Sequence, residues 1–339
     1  MKKLFTFVLA IPFAIAALAQ NSDSASFYFN KGLEEKNAKR YLVASNYFTK
    51  AITLNPRYVD AYIENGFANK EMRKTDASKQ DFIKVLELNP QNEVAIKELM
   101  NLYFNYRQYQ NAIDMAQKCK TCDGKDRVIA MSYFHLEDYG KAEKLLLALV
   151  NKNPKDADAT YTLASNYLEM GLEPKAITWY EKAVLLDEKR SKWQFELGLL
   201  YYNINNYKKA VIAFNKAAEH GFIRGNDFNE NLGFAYIYSG ENENGEKLLL
   251  EIIARKPGDK ELLRDVATAF FDTKSYDKSL EYCQKLLEMD IKDGKALYQA
   301  GLCFQKLGQI ERGMQMCDKA IELDPTLAGL KSKKLSPGM

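Results

Sequence analysis

The chain has 339 residues, 47% apolar and 27% charged, with only 8 Pro. This balance excludes a disordered chain, which would carry too little apolar surface to offset the entropy of ordering. The formal charge is +3, or +1 without Lys2 and Lys3, and basic and acidic residues are interspersed. No clustered positive surface is left to neutralise phosphates, so nucleic acid is excluded as a partner class.

The first element in chain order reads as an export signal. Lys2 and Lys3 precede an apolar run from Leu4 to Leu18, broken only by Thr6 and containing Pro12. Ala17-Leu18-Ala19 supplies a small–x–small cleavage pattern, which makes 1–19 a signal peptide and Gln20 the first mature residue. The run is shorter than the roughly 18 residues of a spanning helix, and no later stretch is long enough. The first cysteine is Cys119, so no cysteine at the cleavage point could carry a lipid. The expectation is a periplasmic or secreted protein without stable membrane insertion after cleavage.

Beyond a short segment at 20–24, the chain repeats itself. Small residues recur in two columns. One runs Gly32, Gly66, Met100, Ala130, Ala164, Gly198, Gly233, Ala267, Gly301; the other runs Ala44, Ser78, Ala112, Ala142, Ala176, Ala210, Gly245, Ser279, Gly313. Both step by 34, 34, 30, 34, 34, 35, 34 and 34, and only Met100 is not small. One register therefore holds throughout, with a four-residue deletion before Ala130 and a one-residue insertion before Gly233.

Each period predicts a helix pair. In 191–224, Leu197, Gly198 and Tyr201 make one apolar stripe at helical spacing. A turn over Asn203–Asn206 follows, then Ala210, Phe214 and Ala217 make a second stripe. Gly198 and Ala210 fall where the two helices approach most closely. Pro56, Pro90, Pro154 and Pro325 lie just past second helices, each preceded by Asn or Asp, a pairing that stops a helix and favours a turn. The repeats run 25–58, 59–92, 93–122, 123–156, 157–190, 191–225, 226–259, 260–293 and 294–327, leaving a short tail at 328–339. Leu327, at the end of the last repeat, with Leu330 and Leu335 of the tail could cap the array, and apolar surface left on the last repeat would suit a homodimer through that end.

These residues resemble the tetratricopeptide repeat, a 34-residue helix pair with the pattern W-x2-L-G-x2-Y, then A-x3-F, then P. Tyr28, Gly32, Ala44, Phe48, Ala51 and Pro56 fit the first repeat, and Leu163, Ala164, Tyr167, Ala176, Tyr180 and Ala183 the fifth, where Glu188 replaces the proline. The resemblance covers 25 to about 327. It implies an all-α fold, an alpha-alpha superhelix of about nine helix-turn-helix repeats, with each repeat burying its faces against its neighbours. Leu18-Ala19-Gln20 further resembles the cleavage site of exported proteins of the Bacteroidetes.

Chemistry-bearing residues are sparse. The two histidines, His135 and His220, have no nucleophile beside them in the sequence, and no metalloprotease, hydrolase or dinucleotide motif is present. Gly240 to Gly245 mimics the start of a phosphate loop but continues Glu246-Lys247 at a helix–helix turn. Cys119-Lys-Thr-Cys122 stands where the third repeat is shortened, at the end of a second helix, where the dipole raises a thiol pKa rather than lowering it. A disulfide staple is the plain reading; a redox pair and half of a metal site are the alternatives. Cys283, Cys303 and Cys317 take core positions. No enzyme activity, cofactor or metal is expected.

The resemblance implies that first helices line a concave groove. A second stripe on those helices, beside the small-residue column, carries Phe67, Phe104, Arg127, Phe134, Tyr161, Phe195, Tyr202, Phe234, Tyr238, Phe271 and Tyr298. So many rings on one nominally exposed face predict a groove for a protein or peptide segment, hence a scaffold or adaptor of the cell envelope. Glycan binding by stacking on the same rings is the alternative. Some relatives clamp C-terminal carboxylates, but here only Lys97 and Asn101 match, and Val128, Asp158 and Thr162 depart from the pattern, so that ligand is not predicted.

Overall fold

A computed structural model describes the backbone of residues 10–329 and side chains from residue 23 onward. Residues 1–9 of the expected 1–19 signal, and the tail from 330, with Leu330 and Leu335, lie outside the described residues. The chain forms two compact units, Met1–Leu172 and Glu173–Met339, divided within the turn of the fifth repeat.

The first unit contains α1 (Ala10–Asn37), α2 (Tyr41–Leu54), α3 (Val59–Glu71), α4 (Thr75–Leu88), α5 (Glu93–Asn105), α6 (Tyr109–Lys118), α7 (Lys125–His135), α8 (Tyr139–Lys152) and α9 (Ala157–Glu169). The second contains α10 (Glu173–Leu186), α11 (Ser191–Asn203), α12 (Tyr207–Glu219), α13 (Asn226–Ser239), α14 (Asn242–Arg255), α15 (Lys260–Asp272), α16 (Tyr276–Met289), α17 (Gly294–Lys306) and α18 (Ile310–Leu323), then a 3-10 turn at Pro325–Leu327. The fold is all-α, and these eighteen helices make nine helix–turn–helix repeats. No described helix is long and apolar enough to cross a membrane.

The small-residue columns mark close helix contact. A Cβ on Gly198 would sit 2.6 Å from Phe214 Cδ1, and one on Gly301 would sit 2.7 Å from the Gly313 carbonyl oxygen. Backbone proximity of this kind leaves no space for a larger side chain. Phe48, Phe82 and Phe214 fill the hairpins from the second-helix side and are fully buried.

Two local devices repeat. Where first helix turns into second, one residue per repeat takes a left-handed φ: Lys39, Arg73, Arg107, Glu137, Gly171, Asn205, Gly240, Lys274 and Gly308. Each lies seven residues after its small residue. At the far end of second helices, Asn55, Asn89, Asn153, Asp187, Asp290 and Asp324 accept through Oδ1 from the N–H two residues on, at 3.1–3.3 Å. Asp187 shows that this side-chain turn, rather than the proline, stops the helix. The four-residue deletion is taken from the second helix of the third repeat, since α6 has 10 residues where α4 and α8 have 14.

Candidate functional site

In the first unit, Phe67, Phe104, Arg127, Phe134 and Tyr161 are all half-buried. Phe67 packs edge-on to Phe82 at 5.4 Å, with Lys36 Nζ 5.3 Å from its ring centre. Arg127 is paired with Asp156, the N-cap residue of α9. In the second unit the same arrangement recurs: Arg264 Nη1 and Nη2 reach Asp293 Oδ1 and Oδ2 at 3.2 and 3.1 Å, and Asp293 caps α17. Both arginines stand 29 residues before their aspartates. Arg127 therefore fastens its own repeat to the start of the next.

Four of the ring positions share one geometry that the sequence reading did not find. Phe104, Phe134, Tyr202 and Phe271 each pack against the tyrosine five residues on, the first residue of the second helix. The ring centres lie 5.9, 6.1, 5.4 and 5.4 Å apart for Tyr109, Tyr139, Tyr207 and Tyr276. Each pair brackets the left-handed residue, so the ring pair closes the turn, a contact worth roughly 0.5–1.5 kcal/mol. Only the outer ring surface is left for a ligand. A tyrosine at i+5 from a half-buried ring is the sequence signal for it.

The remaining rings of the second unit divide. Phe234 and Tyr298 are buried in core clusters, at 8% and 6% exposure, and Tyr298 also lines a small cavity of about 240 Å³ with Arg264, Thr268 and Gln299. Phe195 stacks on Phe222 at 4.4 Å and lies 5.6 Å from both Phe214 and Phe228, which makes it part of an aromatic core. Tyr202, Tyr207 and Tyr238 form a ladder, the last two stacked at 4.7 Å. Burial pushes the Tyr238 hydroxyl up to about 12 and raises that of Tyr202 further.

Carboxylates crowd this ladder. Glu230 and Asp265 act electrostatically on Tyr202, and neither has an ion-pair or hydrogen-bond partner among the described residues. Burial raises the Glu230 pKa, helped by Asp227 and Asp265 and opposed by Lys256; burial raises that of Asp265, helped by Glu261 and opposed by Arg264. An acid held in this way gains free energy when a cation arrives.

Cys119 and Cys122 are joined by a disulfide, with Cα atoms 5.7 Å apart. Glu93 Oε2 lies 3.0 Å from Cys119 Sγ and accepts from Thr121 N–H, while Oε1 accepts from Lys120 N–H at 3.2 Å. Those backbone donors, chiefly Lys120, lower the Glu93 pKa. The carboxylate thus caps the loop over the shortened helix. With the sulfurs bonded to each other, neither is a thiolate ligand. Cys283, Cys303 and Cys317 are buried, and none is in a disulfide among the described residues. Gly240 is the left-handed residue closing α13, Glu241 is the N-cap of α14 and Asn242–Gly245 is that helix's first turn, so the segment is a helix–helix junction. A second polar network, also unforeseen, buries Asn65 and Asn69 in α3 as donors to Asp81 Oδ2, at 3.0 and 2.9 Å.

Both units are stacks of antiparallel helix hairpins, which defines a helical repeat protein. The chain belongs to the tetratricopeptide-repeat family: profiles of that description match residues 25–58, 59–92, 128–191, 194–219, 231–296 and 294–327. Proteins of this family generally mediate protein–protein interactions and are in general not enzymes. Among curated proteins, it is 27% identical over 166 residues to the human protein O-mannosyl-transferase TMTC1, covering 48% of this chain and 18% of that one. It is 29% identical over 87 residues to Hsp70-Hsp90 organizing protein 1 of Glycine max, covering 26% and 15%. The chain thus spans less than a fifth of the length of either relative. A solved structure, the C-terminal part of a TPR repeat-containing protein from Cytophaga hutchinsonii, is 21% identical with a TM-score of 0.45, covering 68% of this chain and 96% of that one.

Proposed function

We propose that the protein is an exported, non-enzymatic scaffold of the bacterial cell envelope that holds a basic protein segment against the first helices of its second unit. The carrying observation is the pair Glu230 and Asp265, which make no ion pair or hydrogen bond among the described residues and feel Lys256 and Arg264 only at longer range, beside the ladder of Tyr202, Tyr207 and Tyr238. A lysine or arginine side chain satisfies the carboxylates and can rest its stem or guanidinium on the rings. Export is supported by the 1–19 pattern alone, and an N-terminal sequence of purified protein starting at Gln20 would bear it out.

The binding test uses fluorescent ten-residue peptides of basic, neutral and acidic composition, each titrated at low and physiological salt. Basic peptides should bind tightest and weaken with salt. Glu230→Gln combined with Asp265→Asn should weaken them by about tenfold, the equivalent of about 1.4 kcal/mol. Equal binding of neutral peptides, or no effect of the double substitution, would sink the reading.

A further inference from the structure

The second unit holds a cleft of about 490 Å³ whose lining includes Asn215, Arg224, Asn229, Tyr236, Lys247 and Glu251. Its origin is visible in the repeat register. Asn229, four residues before Gly233, stands where the repeat pattern has a large ring; the following repeats put Leu263 and Leu297 there. Asn229 is buried, at 7% exposure, and its Oδ1 has no hydrogen-bond partner among the described residues. A buried acceptor without a donor costs about 1–3 kcal/mol, so its retention wants a reason.

The preceding junction shows what such a site looks like when the chain completes it. There Gln194 takes the place of Asn229, and Glu181 accepts from Tyr201 Oη and from Lys209 Nζ, the latter at 3.0 Å. One repeat later the corresponding positions are Asn215, Tyr236 and Asn244, so the internal carboxylate and its lysine are both gone. Asn215 Nδ2 donates to Tyr236 Oη at 2.8 Å, which leaves the tyrosine proton to donate elsewhere. The shorter Asn229 opens space, and the inserted residue lengthens the connector between α12 and α13 to 220–225, which brings Arg224 to the rim. Neither Arg224 nor Lys247 has a carboxylate partner among the described residues, and Arg224 lies over the Phe228 ring at 5.5 Å.

We propose that this cleft binds a small amino-carboxylate, a free α-amino acid or a short peptide. Its carboxylate meets Arg224, Lys247 and the Tyr236 hydroxyl, and its ammonium meets Asn229 Oδ1 and Glu251. The lining supplies both charge signs, as a zwitterion requires, and the volume falls within the roughly 300–1,000 Å³ of small-ligand sites. A simple anion would leave the Asn229 acceptor and Glu251 unanswered. A simple cation would leave Arg224 and Lys247 unanswered.

The test is isothermal titration of the intact protein with L-alanine and L-alanyl-L-alanine as zwitterions, and with acetate and methylammonium as single-charge controls. At least one zwitterion should bind saturably, at least about tenfold tighter than either control. Arg224→Gln and Asn229→Leu should each weaken that binding by about tenfold or more. Asn229→Leu has the precedent of Leu263 and Leu297, so its melting temperature should equal or exceed that of the parent, which separates lost binding from lost folding. Three results would overturn the proposal: no saturable binding of either zwitterion, acetate binding as tightly, or Asn229→Leu binding as before. Glu230→Gln should leave this binding unchanged, so this cleft and the tyrosine face can fail independently.

Discussion

Replacing Lys39, Arg73, Arg107 and Glu137 together by glycine should stabilise the first unit, although four side chains are lost. All four hold φ between 58° and 61°, a region that L-residues enter at a cost. Their side chains make no hydrogen bond or ion pair among the described residues, so little is forfeited on truncation. Left-handed φ costs roughly 1–2 kcal/mol for a residue with a Cβ. Glycine returns about 0.4–1 kcal/mol of this through the greater freedom of the unfolded chain. The net is about 0.5–1 kcal/mol per site, and sites in separate repeats should add to about 2–4 kcal/mol. Urea unfolding followed by far-UV circular dichroism reads this as a raised midpoint at unchanged slope. The converse change, Gly240→Ala at φ 95°, should lower the midpoint. A quadruple variant no more stable than the parent would refute the reasoning, because the turn would then not be strained by its side chains.

Three further outcomes follow from the sites described. Glu230→Gln should raise the melting temperature at neutral pH. The folded-state pKa is raised, so the ionised carboxylate opposes folding above that pKa; the gap between variant and parent should shrink as pH falls toward the ordinary glutamate range. Cys119→Ser with Cys122→Ser should cost about 2 kcal/mol by the chain-entropy relation for so short a loop, and the parent with reductant should match the variant. A double-mutant cycle of Arg264→Met and Asp293→Asn should give a coupling of about 1–2 kcal/mol, between exposed and buried pairs.

What could be read in advance follows from which interactions are local. Gly198 and Gly301 were legible because only a small residue fits against Phe214 or the Gly313 carbonyl, and this exclusion recurs at fixed spacing. The turn residues were not, because Lys39, Arg73 and Glu137 carry no hint of left-handed backbone. The ring stripe was found but not its meaning: Phe104 and Tyr202 are half-used by Tyr109 and Tyr207, and a half-used ring has the same spacing as a free one. Phe195, Phe234 and Tyr298 are core because other helices close over each of them, α12 and its connector in the case of Phe195 and α18 in the case of Tyr298, which no single helix pattern reveals. Cys119 and Cys122 announce themselves by spacing, whereas the cap from Glu93 comes from 26 residues upstream.

Asp156 and Asp293 each do two jobs. One oxygen accepts the N–H that starts a first helix, at 3.0 Å in both cases, while the carboxylate also holds an arginine of the helix pair before it. Both members of each pair fall within one repeat of the register, 123–156 or 260–293, yet the aspartate starts the first helix of the next. A recombined array joined after Asp156 or Asp293 therefore keeps cap and arginine together, whereas a joint placed before the aspartate separates them. The aspartate, not the helix that it caps, sets where these repeats can be exchanged.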